Sequence, residues 1–414
     1  MKDGAIVEVR GRRVWDSRGR PTVEAEVHLA GGVVGRAIAP AGASTGSGEA
    51  VDLRDGGQRF GGFDVRRAIS GIDNEIAPAL IGADAFDQAG IDATLLALDG
   101  TANKARLGGN AMIAVSMANA RAAAAGASLP LWRWLAGDGP ATMPRPMIQI
   151  IGGGAHAGGR VDVQDFMVTT PGAASFVEAL NWTAEVYRVA ATLMAEAGKR
   201  HGVADEGGLW PDFATNEEAL ILLTRAIERA GYRAPDQVAI ALDIAASQFG
   251  LNGTYRLGLE GRTLDRAGMV ELLAGWTRRY PIVSIEDPFA EDDRPGFIAL
   301  TRTLGDRVQI VGDDLLVTNA ALIEAAAKVG AGNAALIKPN QAGTLTETKA
   351  ALDAAQAAGW RTIVSARSGE TEDTAIVHLA VGWNAGQLKV GSFTRSERMA
   401  KWNEGIRIEE ELAA

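Results

Sequence analysis

Six short apolar runs, VAIALD, IVSIED, VQIVGDD, AALIK, TIVSARS and QLKVG, each carry a polar residue at or near their end: Asp243, Glu286, Asp313, Lys338, Arg367 and Lys389. They alternate with alanine-rich amphipathic stretches such as NEEALILLTRAIERAGY and NAALIEAAAKVGAG. This alternation predicts parallel strands covered by helices. Asp313 to Lys338 is 25 residues and Lys338 to Arg367 is 29, each one strand plus one helix. In a (β/α)8 barrel the strand ends meet at one face, so the six side chains would converge. A doubly wound sheet is the competing architecture, and it would spread them along a line.

The first 137 residues follow another pattern. TVEAEVHLAGGVVGRAIA alternates and turns at Gly-Gly like a β-hairpin, and GNAMIAVSMANARAAAAGASLPLWRWLAG reads as a helical stretch ending at glycine. Strands first and helices afterwards predict an α+β unit. DGPATMPRP, with three prolines and a glycine, marks a boundary between domains over 1–137 and 138–414.

Composition narrows the chemistry. A net charge of −10 argues against nucleic-acid or membrane-surface binding, while leaving room for a small basic pocket. The absence of cysteine excludes disulfides, a thiolate nucleophile and Cys-ligated metals. With only His28, His156, His201 and His378, a metal site must rest mainly on carboxylates, which suits Mg²⁺ better than Zn²⁺. The apolar runs are too short to span a bilayer, and MKDGAIVEVRGRRVWDSRG lacks the apolar core of a secretory signal. A cytoplasmic location is the expectation.

Asp243, Glu286 and Asp313 are the kind of set a hard divalent cation needs. Any one of them could simply cap a helix, but three in succession followed by Lys338 favour a site. A lysine beside a cation and a second lysine, Lys389, would have its neutral form favoured and could act as a general base. Two glycine-rich stretches, APAGASTGSGEA (39–50) and GGGAHAGG (152–159), match no nucleotide-binding fingerprint. Beside a barrel mouth they could act as lids, with Ser44 and His156 reaching the substrate.

DSRGRPTVEAEV, GASTG, HAGG, ADEGG, SIEDPFAEDD, VGDDLLVTN, IKPNQAGTLTET, SGETEDT and RSERMAKWN run through nearly the whole chain and together resemble enolase. The resemblance implies an N-terminal α+β capping domain and a modified (β/α)8 barrel that begins with two strands and two helices. It implies reversible dehydration of 2-phosphoglycerate to phosphoenolpyruvate with two Mg²⁺ ions, and a homodimer or an assembly of dimers. By motif, Asp243, Glu286 and Asp313 would bind the first metal and Ser44 the second. Lys338 would take the proton from carbon 2 and Glu206 would assist the hydroxide leaving carbon 3. Lys389 would hold the carboxylate, Arg367 and Ser368 the phosphate, with His156 closing over it.

Some positions depart from the family pattern. Where enolases read VSHRSGETED this chain has Ala366, where they read QEFM it has Asp165, and Gly152, Ala155 and Ala41 replace Asn, Ser and Ser. The family places the missing imidazole and the shortened carboxylate around the carbon 3 hydroxyl. One methylene moves a carboxylate by roughly 1.5 Å, and misplacement of about 1 Å costs on the order of 10²-fold in rate. Three readings follow: an enolase proper with a glycolytic role, a paralogue of the carboxyphosphonoenolpyruvate synthase type acting on a bulkier phosphorylated or phosphonylated acid, and a silent plasminogen-binding protein. The ending EEELAA lacks the terminal lysine that the third commonly uses.

Overall fold

In the computed structural model, which describes residues 4–43 and 45–414, the chain opens with an antiparallel sheet of β1 (Ile6–Trp15), β2 (Pro21–Leu29) and β3 (Val34–Ile38). The expected Gly-Gly turn joins β2 to β3, with Glu24 opposite Ile38 and His28 opposite Val34. Helix Gly109–Gly126 packs on β2 and β3, and Gly35 lets the two backbones meet. A Cβ on Gly35 would stand 2.1 Å from the Ala118 carbonyl oxygen. The sequence predicts one helical stretch through to Gly137, but the structure divides it. Ser128 takes a left-handed conformation (φ 58°) ahead of Pro130, and a separate helix covers Leu131–Ala136. Proline has no N–H to continue the ladder and its predecessor avoids helical angles, so the run breaks there.

Eight further strands close into a barrel rather than a doubly wound sheet. The first two are β4 (Arg145–Gly152) and β5 (Asp165–Thr169), followed by helices Phe176–Glu196 and Asn216–Arg229. Next come β6 (Ala239–Asp243) and a small meander of β7 (Gly250–Leu251), β8 (Thr254–Leu257) and β9 (Arg262–Asp265). The barrel resumes with β10 (Ile282–Glu286), β11 (Gln309–Gly312), β12 (Ala334–Ile337), β13 (Arg361–Ser365) and β14 (Gly386–Ser392). Around the barrel the order is β10, β11, β12, β13, β14, β4, β5, β6, and only β5 runs against its neighbours. The mouth therefore receives the C-terminal ends of seven strands and the N-terminal end of β5. That reversal sets Asp165, the first residue of β5, beside Asp243, the last of β6.

The barrel strands are mostly apolar because both faces are covered. Met147, Met167, Ala241, Val311, Ala334, Leu336 and Ile363 fill the barrel interior, while a larger cluster lies between strands and helices. Helix starts are written locally: Ser175, Thr215 and Thr344 each accept a bond from the backbone N–H of a glutamate three residues on. Loops of the N-terminal domain close over the mouth, where Ala41 and Gly369 exchange backbone hydrogen bonds of 2.9 Å in both directions. No helix among the described residues is long and apolar enough to cross a membrane.

Gly35→Ala should destabilise the fold by about 3 kcal/mol or more, since the new methyl meets backbone that cannot rotate away. Urea unfolding checks this, and an unchanged midpoint would show that the helix can shift on its sheet.

Candidate active site

The strand ends do converge. Asp243 and Glu286 close β6 and β10, Asp313 and Lys338 follow β11 and β12 directly, and Arg367 and Ser368 follow β13. Lys389 reaches in from β14 and Asp165 from β5. All eight are buried. With His156, Glu206, Gln164 and Ala366, most of them line one small cavity that Gly42 and Ala43 also border. Ser44 lies outside the described residues.

Lys389 sits among acids: its Nζ is 2.9 Å from Asp243 Oδ2, 2.8 Å from Glu286 Oε2 and 3.3 Å from Asp165 Oδ2. Burial opposes its charge, but these carboxylates outweigh that and hold the ammonium well above its ordinary pKa. Lys338 pairs with Asp313. From the sequence, a bound cation and Lys389 are expected to favour neutral Lys338; in the chain by itself its nearest partner is a carboxylate. Burial, Arg367 and Lys389 do lower its pKa, yet Asp313 and Glu286 prevail and raise it. Counting cations along the sequence could not reveal that a carboxylate would meet the amine first.

The four carboxylates Asp165, Asp243, Glu286 and Asp313 outnumber the two ammonium groups they contact. Burial first, and then the Asp243 charge, push Glu286 well above the usual carboxylate range. Its Oε1 is buried without a hydrogen-bond partner. An oxygen-rich set with more carboxylates than ammonium groups and an unpartnered oxygen fits a hard divalent cation.

Behind these groups stand residues that the sequence reasoning missed. Asp287 accepts the backbone N–H groups of Asp313 and Asp314 at 2.9 Å each, which fixes the turn that carries Asp313. Burial, with Asp313 next, raises Asp314 to about 7. Gln341 donates to Asp313 at 2.9 Å and Gln164 to Asp243 at 3.0 Å. Glu49, from the loop over the mouth, binds Arg367 at 2.9 Å, and Arg398 donates to the carbonyls of Arg367 and Ser368 at 2.6 Å each. The adjacent acids in IED and GDD, Glu286 with Asp287 and Asp313 with Asp314, are the one sequence signal for that turn. Nothing in the sequence points to partners 318 residues apart such as Glu49 and Arg367.

A second cluster faces the same cavity. His156 Nδ1 lies 3.0 Å from Asp165 Oδ1 and Nε2 lies 3.7 Å from Glu206 Oε1. Burial opposes the imidazolium, but Glu206 and Asp165 outweigh it and raise its pKa to about 9. Burial also works against the Asp165 carboxylate, yet His156 and Lys389 overcome it and hold Asp165 below the usual range. The structure thus groups His156 with Asp165 and Glu206. His28, His201 and His378 pair with Glu26, Asp212 and Glu404, away from the cavity. Ala366 is buried and lines the cavity, and Ala41 takes part through its backbone.

Fold and site define a (β/α)8-type barrel with buried carboxylates and lysines gathered at its mouth. The family description "Enolase, N-terminal domain" matches residues 6–135, and "Enolase, C-terminal TIM barrel domain" matches residues 140–414. An enolase of Rubrobacter xylanophilus is 51% identical over 408 residues, covering 98% of this chain and 95% of that protein. The chain belongs to the enolase family, and the enzyme is a lyase of the enolase, or phosphopyruvate hydratase, class with a metal cofactor.

The raised His156 pKa has a stability consequence. Its contribution is complete below the unfolded value of 6.5 and is lost as pH rises through about 9. His156→Gln should therefore show a smaller fall in unfolding free energy between about pH 6 and about pH 10 than the parent protein. Equal falls in urea titrations would show that the imidazolium is not held by its two carboxylates.

Proposed function

We propose that the enzyme catalyses the Mg²⁺-dependent, reversible dehydration of 2-phosphoglycerate to phosphoenolpyruvate. The observation that carries this reading is that Lys338 and Glu206 line one cavity together with Asp165, Asp243, Lys389 and Arg367. Arg367 and Ser368 would receive the phosphate and Lys389 the carboxylate of the substrate. Neutral Lys338 takes the proton from carbon 2, and the electron pair left behind becomes the double bond to carbon 3. The bond from carbon 3 to its hydroxyl breaks, the oxygen gains a proton from the Glu206 carboxyl, and water leaves. His156, 3.7 Å from Glu206, can return a proton to that carboxyl.

Asp243, Glu286 and Asp313 would hold Mg²⁺, which supplies positive charge that stabilises the substrate's developing negative charge and commits Asp313 away from Lys338. The second expected ion involves Ser44, outside the described residues. A second reading, a bulkier phosphorylated or phosphonylated acid, is favoured by Ala366, whose small side chain leaves room in the cavity wall.

In deuterated buffer with Mg²⁺, 2-phosphoglycerate should exchange its carbon 2 hydrogen and form the enol phosphate, seen by its ultraviolet absorbance. Lys338→Ala should lower both rates by about 10² to 10⁴-fold, and chelation of the metal should abolish both. Exchange that survives Lys338→Ala would remove lysine from the base role. Faster turnover of an acid with a larger group at carbon 3 would select the second reading.

A further inference from the structure

Gln149 lies in β4, almost fully buried, one inward position above Met147. Its Nε2 donates to Asp165 Oδ1 and lies 3.5 Å from His156 Nδ1. Its Oε1 accepts the backbone N–H of Gly208 at 2.9 Å. Gly208 closes a tight turn in which its carbonyl accepts the N–H of Ala204 at 2.7 Å, and Glu206 projects from that turn. One amide therefore touches the carboxylate and the imidazole and anchors the loop that carries the proposed acid.

The space around this amide is fitted to it. A Cβ on Gly152 would stand 2.7 Å from Ala204 Cβ and 3.3 Å from both amide heteroatoms of Gln149. A Cβ on Gly208 would stand 2.3 Å from Gln149 Oε1. Gly152 is also the register partner of Asp165 across β4 and β5. The bare glycine, the short acid and the long amide form one packed set. A longer acid at 165 would be driven into an amide that its carboxylate already touches.

We propose that Gln149 is a positioning residue for the carbon 3 half of the reaction, orienting Asp165, His156 and the Glu206 loop and setting the side-chain length required at 165. This rests on the proposed function, because it takes loss of the carbon 3 hydroxyl as the step that is served. Departures at 152 and 165 then belong together, and the shortened acid is the length that fits.

The test compares Gln149→Asn, Asp165→Glu and the double variant, measuring carbon 2 hydrogen exchange and enol phosphate formation on each. Each single change should lower dehydration at least about tenfold while leaving exchange within about threefold. The double variant, which conserves the summed length, should regain dehydration to within about threefold of the parent. Equal loss of both readouts would make Gln149 merely structural, and additive losses in the double variant would overturn the fitted set. If a single variant does not fold, the double variant carries the test alone: exchange retained with dehydration lost overturns the proposal. No exchange in the parent protein would overturn the functional reading itself, a result distinct from these.

Discussion

One buried ammonium organises the mouth of the barrel. Lys389, from β14, contacts carboxylates from β5, β6 and β10, so it ties together strand ends on both sides of the barrel. Removing one partner of a buried ion pair costs about 3–5 kcal/mol, because the other charge stays behind in a medium that solvates it poorly. The lysine in turn owes its charge to these acids, which hold its pKa well above the ordinary value.

Much of the barrel was legible because each strand announces its end. An apolar run that stops on Asp243, Glu286 or Lys338 places that residue at the mouth once the strands are parallel. The same logic could not find Asp165, because β5 runs backwards and its functional residue stands at its start. Only resemblance pointed there. Arg398 and Lys401 lie on helix Ser396–Ala413 among many charged residues, yet both are fully buried against backbone carbonyls of the loop after β13. Partners distant in sequence leave no periodic trace, so the Glu49 and Arg367 pair was invisible as well.

The substituted positions separate physically. Gly152 and Asp165 meet around Gln149, where space lost at one position is filled from another. Ala366 has no such counterpart among the contacts of the cavity: its backbone N–H donates to the Lys389 carbonyl at 2.9 Å, and its methyl group faces the lining. It changes the wall of the cavity, whereas the other two change how existing groups are held.

The reversed strand has one more consequence. Gln149, Gly152, His156 and Asp165 all belong to the hairpin of β4 and β5, within residues 149–165. Asp243, Glu286 and Asp313 come instead from the ends of β6, β10 and β11. The groups that surround His156, Glu206 apart, are thus encoded in one short continuous stretch that can be inherited, exchanged or diversified as a unit while the other strand ends stay as they are.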